Sequence, residues 1–326
     1  MTDILTLGEL LIDLTEKDKD ENGNRNFTAY PGGAPANVAV AASRLGAKTG
    51  FIGKVGNDPF GHHLKDVLKK EKVATKGLYL SEHYQTTLAI VAVSKKGDRE
   101  FSFYRSPGAD TQLYVKQAMQ ALDDYGMPSI LHVGSLSMTT QPSRGATEEA
   151  VRYAKDNGVV ISYDPNYRPV LWNNESQAIR MMSLLLPYAD IIKVADDEMT
   201  LLTGTEDYEE GSRILAEDYG VKLVIITLGK EGVFVRYGDH SERVPGVKTK
   251  VVDTNGAGDT FLGAVLAKLA SRKDELKEGE NVLDHITPEE LRSYVEYANR
   301  AAALTCSRPG AMPAMPTKEE MEETAK

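Results

Sequence analysis

The chain has 326 residues, 41% of them hydrophobic and 26% charged, with a formal net charge of -10. That size and balance suit a globular protein with a sizeable core, and the negative charge works against a broad nucleic-acid surface, which needs clustered Lys and Arg. A lone Cys306 excludes an intramolecular disulfide, no apolar run approaches the roughly 18 residues of a membrane span, and "MTDILTLGEL" has no signal-peptide blocks, so the expectation is a cytoplasmic protein without a membrane partner.

In chain order, short Val-, Ile- and Leu-rich runs predict strands at Ile4–Leu10, Thr49–Val55, Ile130–Val133, Val159–Tyr163, Ile191–Val194 and Leu223–Thr227. Helical spacing predicts helices over Pro35–Leu45, Pro59–Lys70, Pro142–Asn157, Ser176–Leu186 and Glu209–Tyr219. The alternation is that of βαβ units around a mainly parallel sheet, an α/β fold. Two regions break the rhythm. Residues 11–30 carry the polar run "TEKDKDENGNRNF", and residues 86–104 read as two strands around the hairpin signal "SKKGD". Both fit a small antiparallel sheet projecting as a lid from a single domain spanning residues 1–326. An antiparallel sheet with one uncovered apolar face needs a partner, so a homodimer through the lid is expected. The tail "TKEEMEETAK" reads as a peripheral helix.

The segment "VVDTNGAGDTFLGAVL" places Gly256, Ala257 and Gly258 where a loop becomes a helix. Free amides at a helix start, with a macrodipole of roughly +0.5 charge, make an anion site suited to a phosphate. Asp259 in the first turn would repel that phosphate, but makes sense as a base facing an acceptor hydroxyl. It could equally complement the helix dipole, and the segment alone leaves both readings open. No GxxxxGK[ST] loop occurs, and no GxGxxG follows the first strand, which argues against a dinucleotide-dependent oxidoreductase.

Two motifs at opposite ends resemble the signatures of the PfkB (ribokinase-like) family of carbohydrate kinases: "GGAPANVAVAASRLGAKTGFIGKVG" (Gly32 to Gly56) and "DTNGAGD" (Asp253 to Asp259). The resemblance covers essentially the whole chain. It implies a three-layer ribokinase-like sandwich with a β lid, and ATP-dependent phosphorylation of a hydroxymethyl group. Asp259 matches the family's catalytic base, and the amides of Gly256, Ala257 and Gly258 match its anion hole. Mg²⁺ bridges the β- and γ-phosphates in similar enzymes. In "KVADDEMTLLTG", Glu198 keeps the glutamate of an N-x-x-E metal motif while Ala195 replaces its asparagine, which implies water-mediated metal binding centred on Glu198, helped by Asp196 or Asp197. Thr227 and Gly229 in "TLGKEG" and Asn299 match nucleotide-binding positions. Asp253 and the loop from Ser307 to Gly310 resemble elements that hold a monovalent cation, K⁺, in several members.

Sugar hydroxyls need fixed partners, because a buried polar group without one is costly. Asp13, Gly32, Gly33 and Asn37 match family positions that hold them. "GELLIDL", "REFSFYRSPGAD", "HVGSLSM" and "SYDPNYRPVLW" look most similar to the fructokinase branch. Arg105 and Arg168 carry fork-shaped donors suited to a sugar hydroxyl or phosphate, with structural ion pairing as the other reading of each. The alternatives are a 2-keto-3-deoxygluconate kinase, which shares the "YDPN.R..LW" pattern, and a sugar-binding regulator without turnover.

Overall fold

The computed structural model describes residues 2–93 and 99–324. The chain begins with β1 (Ile4–Leu7), β2 (Leu11–Lys19), β3 (Arg25–Gly32), α1 (Ala34–Arg44), β4 (Thr49–Gly56), α2 (Pro59–Lys70) and β5 (Ala74–Ser81). It continues through β6 (Leu88–Val93), β7 (Arg99–Tyr104), α3 (Val115–Tyr125), β8 (Ile130–Gly134), α4 (Ser143–Asp156), β9 (Val160–Asp164) and α5 (Glu175–Ser183). Then come β10 (Ile191–Ala195), α6 (Asp196–Thr203), α7 (Tyr208–Tyr219), β11 (Leu223–Thr227), β12 (Gly232–Tyr237), β13 (His240–Pro245), α8 (Ala257–Ser271), α9 (Pro288–Cys306) and α10 (Lys318–Glu323).

The strands form two sheets, a nine-stranded one in the order β13-β12-β11-β10-β9-β8-β1-β4-β5 and a four-stranded one in the order β3-β2-β6-β7. The large sheet is parallel except for β12 and β13. Its central strands alternate between two buried faces, as strands covered on both sides must. Leu5, Leu7, Leu131, Val133, Ile161, Tyr163, Ile192 and Val194 pack with residues of α3 to α7, whereas Ile4, Ile130, Val160 and Ile191 pack with α1, α8 and α9. The result is the expected three-layer ribokinase-like α/β sandwich.

The first strand is shorter than predicted. It ends at Leu7, and Leu10 belongs to the connection into β2, where the chain leaves the large sheet for the small one. In the small sheet β2 pairs antiparallel with β3 and parallel with β6, and β6 pairs antiparallel with β7. The predicted "SKKGD" turn lies outside the described residues. The helix predicted to reach Leu186 stops at Ser183, and a 3₁₀ turn containing Pro187 follows, because proline lacks the amide that would extend the helix. The sequence reading also passed over β5, the β12–β13 hairpin and α3. Among the described residues no helix is long and apolar enough to cross a membrane.

One packing detail positions the site. A Cβ on Gly263 of α8 would come within 2.6 Å of Ala41 Cβ on α1, so only glycine lets these helices touch at backbone distance. Their N-terminal turns, which carry the two sequence motifs, meet as a result.

Candidate active site

Asp259 stands in the first turn of α8, after Gly256 in the left-handed conformation (φ 75°) that turns the loop into the helix. Asn37, in the first turn of α1, donates from Nδ2 to Asp259 Oδ2 at 2.7 Å. Because Nδ2 is committed to the carboxylate, Asn37 Oδ1 remains a buried acceptor without a partner. Burial lifts the Asp259 carboxyl to about 6; Asp164 pushes the same way, and Asn37, Lys193 and Arg168 pull against it. A carboxylate poised near neutral is suited to taking a proton from a hydroxyl.

Beside the first turn of α8 lies Lys193, which the sequence reading did not single out. It is buried in the middle of β10, and its Nζ donates to Asp164 Oδ2 at 3.0 Å. Burial alone would favour the neutral amine, but the Asp164 and Glu198 carboxyls outweigh it and hold the ammonium above the usual lysine range. A Cβ on Gly258 would stand 3.2 Å from Lys193 Nζ, so the glycine keeps the ammonium close to the helix-start amides. The signal was available: a lysine inside the run "IIKVA" of a strand buried on both faces requires a charged partner.

The pocket beside Asp259 measures about 120 Å³ and takes in Glu9, Asp13, Gly33, Asn37, Asn166, Arg168 and Gly256. Asp13 sits on β2, and a Cβ on Gly32 would come 2.2 Å from its Oδ2, so Gly32 makes room for the carboxylate. At Gly33 (φ 108°) a Cβ would run into the Glu9 carbonyl oxygen at 2.4 Å. Arg168 is exposed on the pocket's rim, and its NH1 donates to the Tyr167 carbonyl at 3.0 Å. Asn166, also missed by the sequence reading, adopts φ 45° while its amide donates to Asp164 Oδ1 at 3.0 Å. A larger cleft of about 590 Å³ lies by Arg213, Lys222 and Arg236. It contains none of the residues around Asp259.

Burial lifts Asp13 from its ordinary 3.8 to about 7, with Arg168 pulling it down and Asp259 and Asp253 pushing it up. Between those two values the folded protein holds a proton that the unfolded chain has lost, so stability falls as pH rises from about 4 to about 7. Asp13→Asn removes that cost. It is expected to melt several degrees above the parent at pH 8, with the gap closing toward pH 4; differential scanning fluorimetry across pH checks this.

Other expected site residues lie outside this pocket. Arg105 is buried, with Nε on Asp110 Oδ2 at 2.7 Å, NH1 on Thr139 Oγ1 at 2.9 Å and NH2 on the Leu136 carbonyl at 2.9 Å. The structure gives Arg105 an ion pair that joins the base of β7 to the main body. Glu198 is buried, and its two oxygens accept the amides of Tyr167 at 2.6 Å and Ala195 at 2.8 Å. No cluster of three metal-ligating side chains occurs among the described residues. Thr227 ends β11 beside Ala195, with its Oγ1 donating to the Val194 carbonyl at 3.3 Å, and Gly229 follows at φ 56°. Asn299 on α9 donates to the Pro245 carbonyl at 3.1 Å. Asp253 accepts the amides of Asn255 at 3.0 Å and Gly310 at 3.1 Å, joining the loop before α8 to the loop after α9.

A near-neutral acid facing a polar pocket, backed by helix-start amides and a buried ammonium, has the chemistry of a phosphotransferase with an alcohol acceptor, and the three-layer fold with its small sheet places that chemistry among the sugar kinases. The chain belongs to the pfkB family of carbohydrate kinases, whose model matches residues 1–318. It is 39% identical over 324 residues to "Fructokinase-2" of Oryza sativa subsp. japonica, an alignment covering 98% of this chain and 93% of that one. Among solved structures, the fructokinase with bound ATP from Xylella fastidiosa superposes with a TM-score of 0.88 at 32% identity, covering 99% of both chains. A double mutant of fructokinase from Vibrio cholerae O395, bound to fructose, ADP and potassium ion, gives 0.85 at 30% identity, covering 100% of this chain and 99% of that one.

Proposed function

We propose that the chain transfers the γ-phosphoryl group of ATP to the O6 hydroxyl of D-fructose. The observation that carries this reading is the 2.7 Å bond from Asn37 to Asp259, which puts the sugar-side motif and the phosphate-side motif on one reacting centre. The similarity to fructokinases, one of them solved with fructose and ADP, supports the sugar and the nucleotide.

Fructose enters between β2 and the first turn of α1. Asp13 and Asn37 Oδ1 take its hydroxyls, and Arg168 at the rim supplies donors. Asp259 accepts the O6 proton as O6 attacks phosphorus in line. The amides at Gly256, Ala257 and Gly258, with Lys193 beneath them, stabilise the charge that spreads over the phosphoryl oxygens. Thr227, Gly229 and Asn299 line the nucleotide's approach along the ends of β11 and β13. Both Glu198 oxygens already hold amides, so Glu198 would meet Mg²⁺ only through water, and the ion would neutralise phosphate charge. Asp253 and the loop around Gly310 form the candidate monovalent-cation element, and the potassium-bound relative supports that assignment.

A panel comparing kcat/KM for fructose, 2-keto-3-deoxygluconate, ribose and nucleosides by coupled ADP release tests the proposal. Fructose is expected to lead by at least ~10-fold, the discrimination that one or two substrate hydrogen bonds provide. A preference for the keto acid would overturn the sugar and leave the mechanism; ADP release with none of them would favour a binding protein.

A further inference from the structure

Glu9 occupies the link between β1 and β2, and strand alternation carries it into the sugar pocket. Leu10 and Ile12 pack into the core with Ala36, Val40 and Phe51, while Glu9, Leu11 and Asp13 share the other side and line the pocket. Glu9 is only 2% exposed. Its Oε1 accepts the Ala34 amide at 2.9 Å. Helix α1 has Gly33 as N-cap and therefore no cap side chain of its own, so Glu9 supplies the cap from outside the helix.

The second oxygen is unaccounted for. Glu9 Oε2 is buried and has no hydrogen-bond partner. Arg105 is the cation whose charge acts on it, and that guanidinium is already bonded to Asp110, Thr139 and the Leu136 carbonyl. A buried carboxyl oxygen left without a donor costs stability, and natural proteins keep such a cost where a ligand removes it.

We propose that Glu9 is a substrate-binding, specificity-determining residue whose Oε2 bonds a fructose hydroxyl other than O6 while its Oε1 holds the start of α1. This rests on the sugar-kinase reading above and adds a contact that the two signature motifs do not contain. Burial lifts the Glu9 carboxyl to about 7, so near neutral pH it can accept from or donate to that hydroxyl.

The test uses the full-length enzyme with fructose and its 1-deoxy, 3-deoxy and 4-deoxy analogues, comparing the parent with Glu9→Gln and Glu9→Ala. The parent is expected to lose ~10- to 100-fold in kcat/KM toward one analogue, the range for a hydrogen bond to a charged group. In Glu9→Ala that one ratio should fall toward 1 while the other two ratios, and KM for ATP, stay as in the parent. Glu9→Gln, which keeps shape and the amide contact, should be intermediate. A residue that only caps α1 would depress all four sugars alike, and equal ratios in parent and variants would overturn the proposal. A parent that phosphorylates no sugar would instead overturn the functional reading on which it rests.

Discussion

Asp259→Asn is expected to lower kcat by at least ~10²-fold while ATP binding and the fold survive, in line with losses from removing a positioned general base. The side chain keeps its shape and can still bond Asn37, so the loss isolates proton acceptance. The parent's kcat should also fall as pH drops through about 6, because the base works only as the carboxylate and burial has lifted it to that value. In the variant that acid limb should disappear. Steady-state kinetics from pH 5 to 9 with isothermal titration of ATP would decide it, and near-normal turnover in Asp259→Asn would remove the residue from the mechanism.

Lys193→Met is expected to be the most damaging single change, because it strikes both stability and chemistry. Its ammonium is the cation against Asp164 at 3.0 Å and beside Glu198, all three buried. Taking it away strands two carboxylates, a change that costs about 3–5 kcal/mol at other buried pairs. It also removes positive charge next to the helix-start amides of α8, and losing one donor to a developing oxyanion costs ~10²–10³-fold in kcat in other enzymes. The two effects can be separated. Adding Asp164→Asn should restore much of the melting temperature, since a neutral amide needs no cation, but no turnover. A double variant that regained activity would show that Lys193 is merely a structural counter-ion.

Much of this site could be read from one sequence because its parts are local. The turn "GAGD" states its own geometry: small residues, a helix start and a carboxylate in the first turn. Asp13, Gly32, Gly33 and Asn37 were likewise legible, and the structure explains the glycines by the Asp13 oxygen and the Glu9 carbonyl that crowd them. Glu9 was missed because its significance lies in Ala34, which the fold brings beside it from a distant segment, whereas Lys193 was overlooked although a lysine in an apolar strand run was itself a signal. Arg105 shows the converse. Its position after a lid strand suggested substrate contact, but whether a guanidinium is free depends on partners such as Asp110 and the Leu136 carbonyl, which no spacing rule reveals. In the fold, the buried parallel strands announced themselves as apolar runs. Strand β5, "ATKGLYLS", sits at the sheet edge, where polar residues and a glycine are tolerated, and so carried no such signal.

The bond between Asn37 and Asp259 joins residues 222 positions apart. Such a contact forms late, since the entropy of closing so long a loop is met only once the layers between have condensed. The pocket beside Asp259 likewise draws on segments from Glu9 to Ala311, so it is complete only once α8 packs against α1. The two motifs thus become one site only with completion of the sandwich, and a chain cut before α8 is expected to release no ADP.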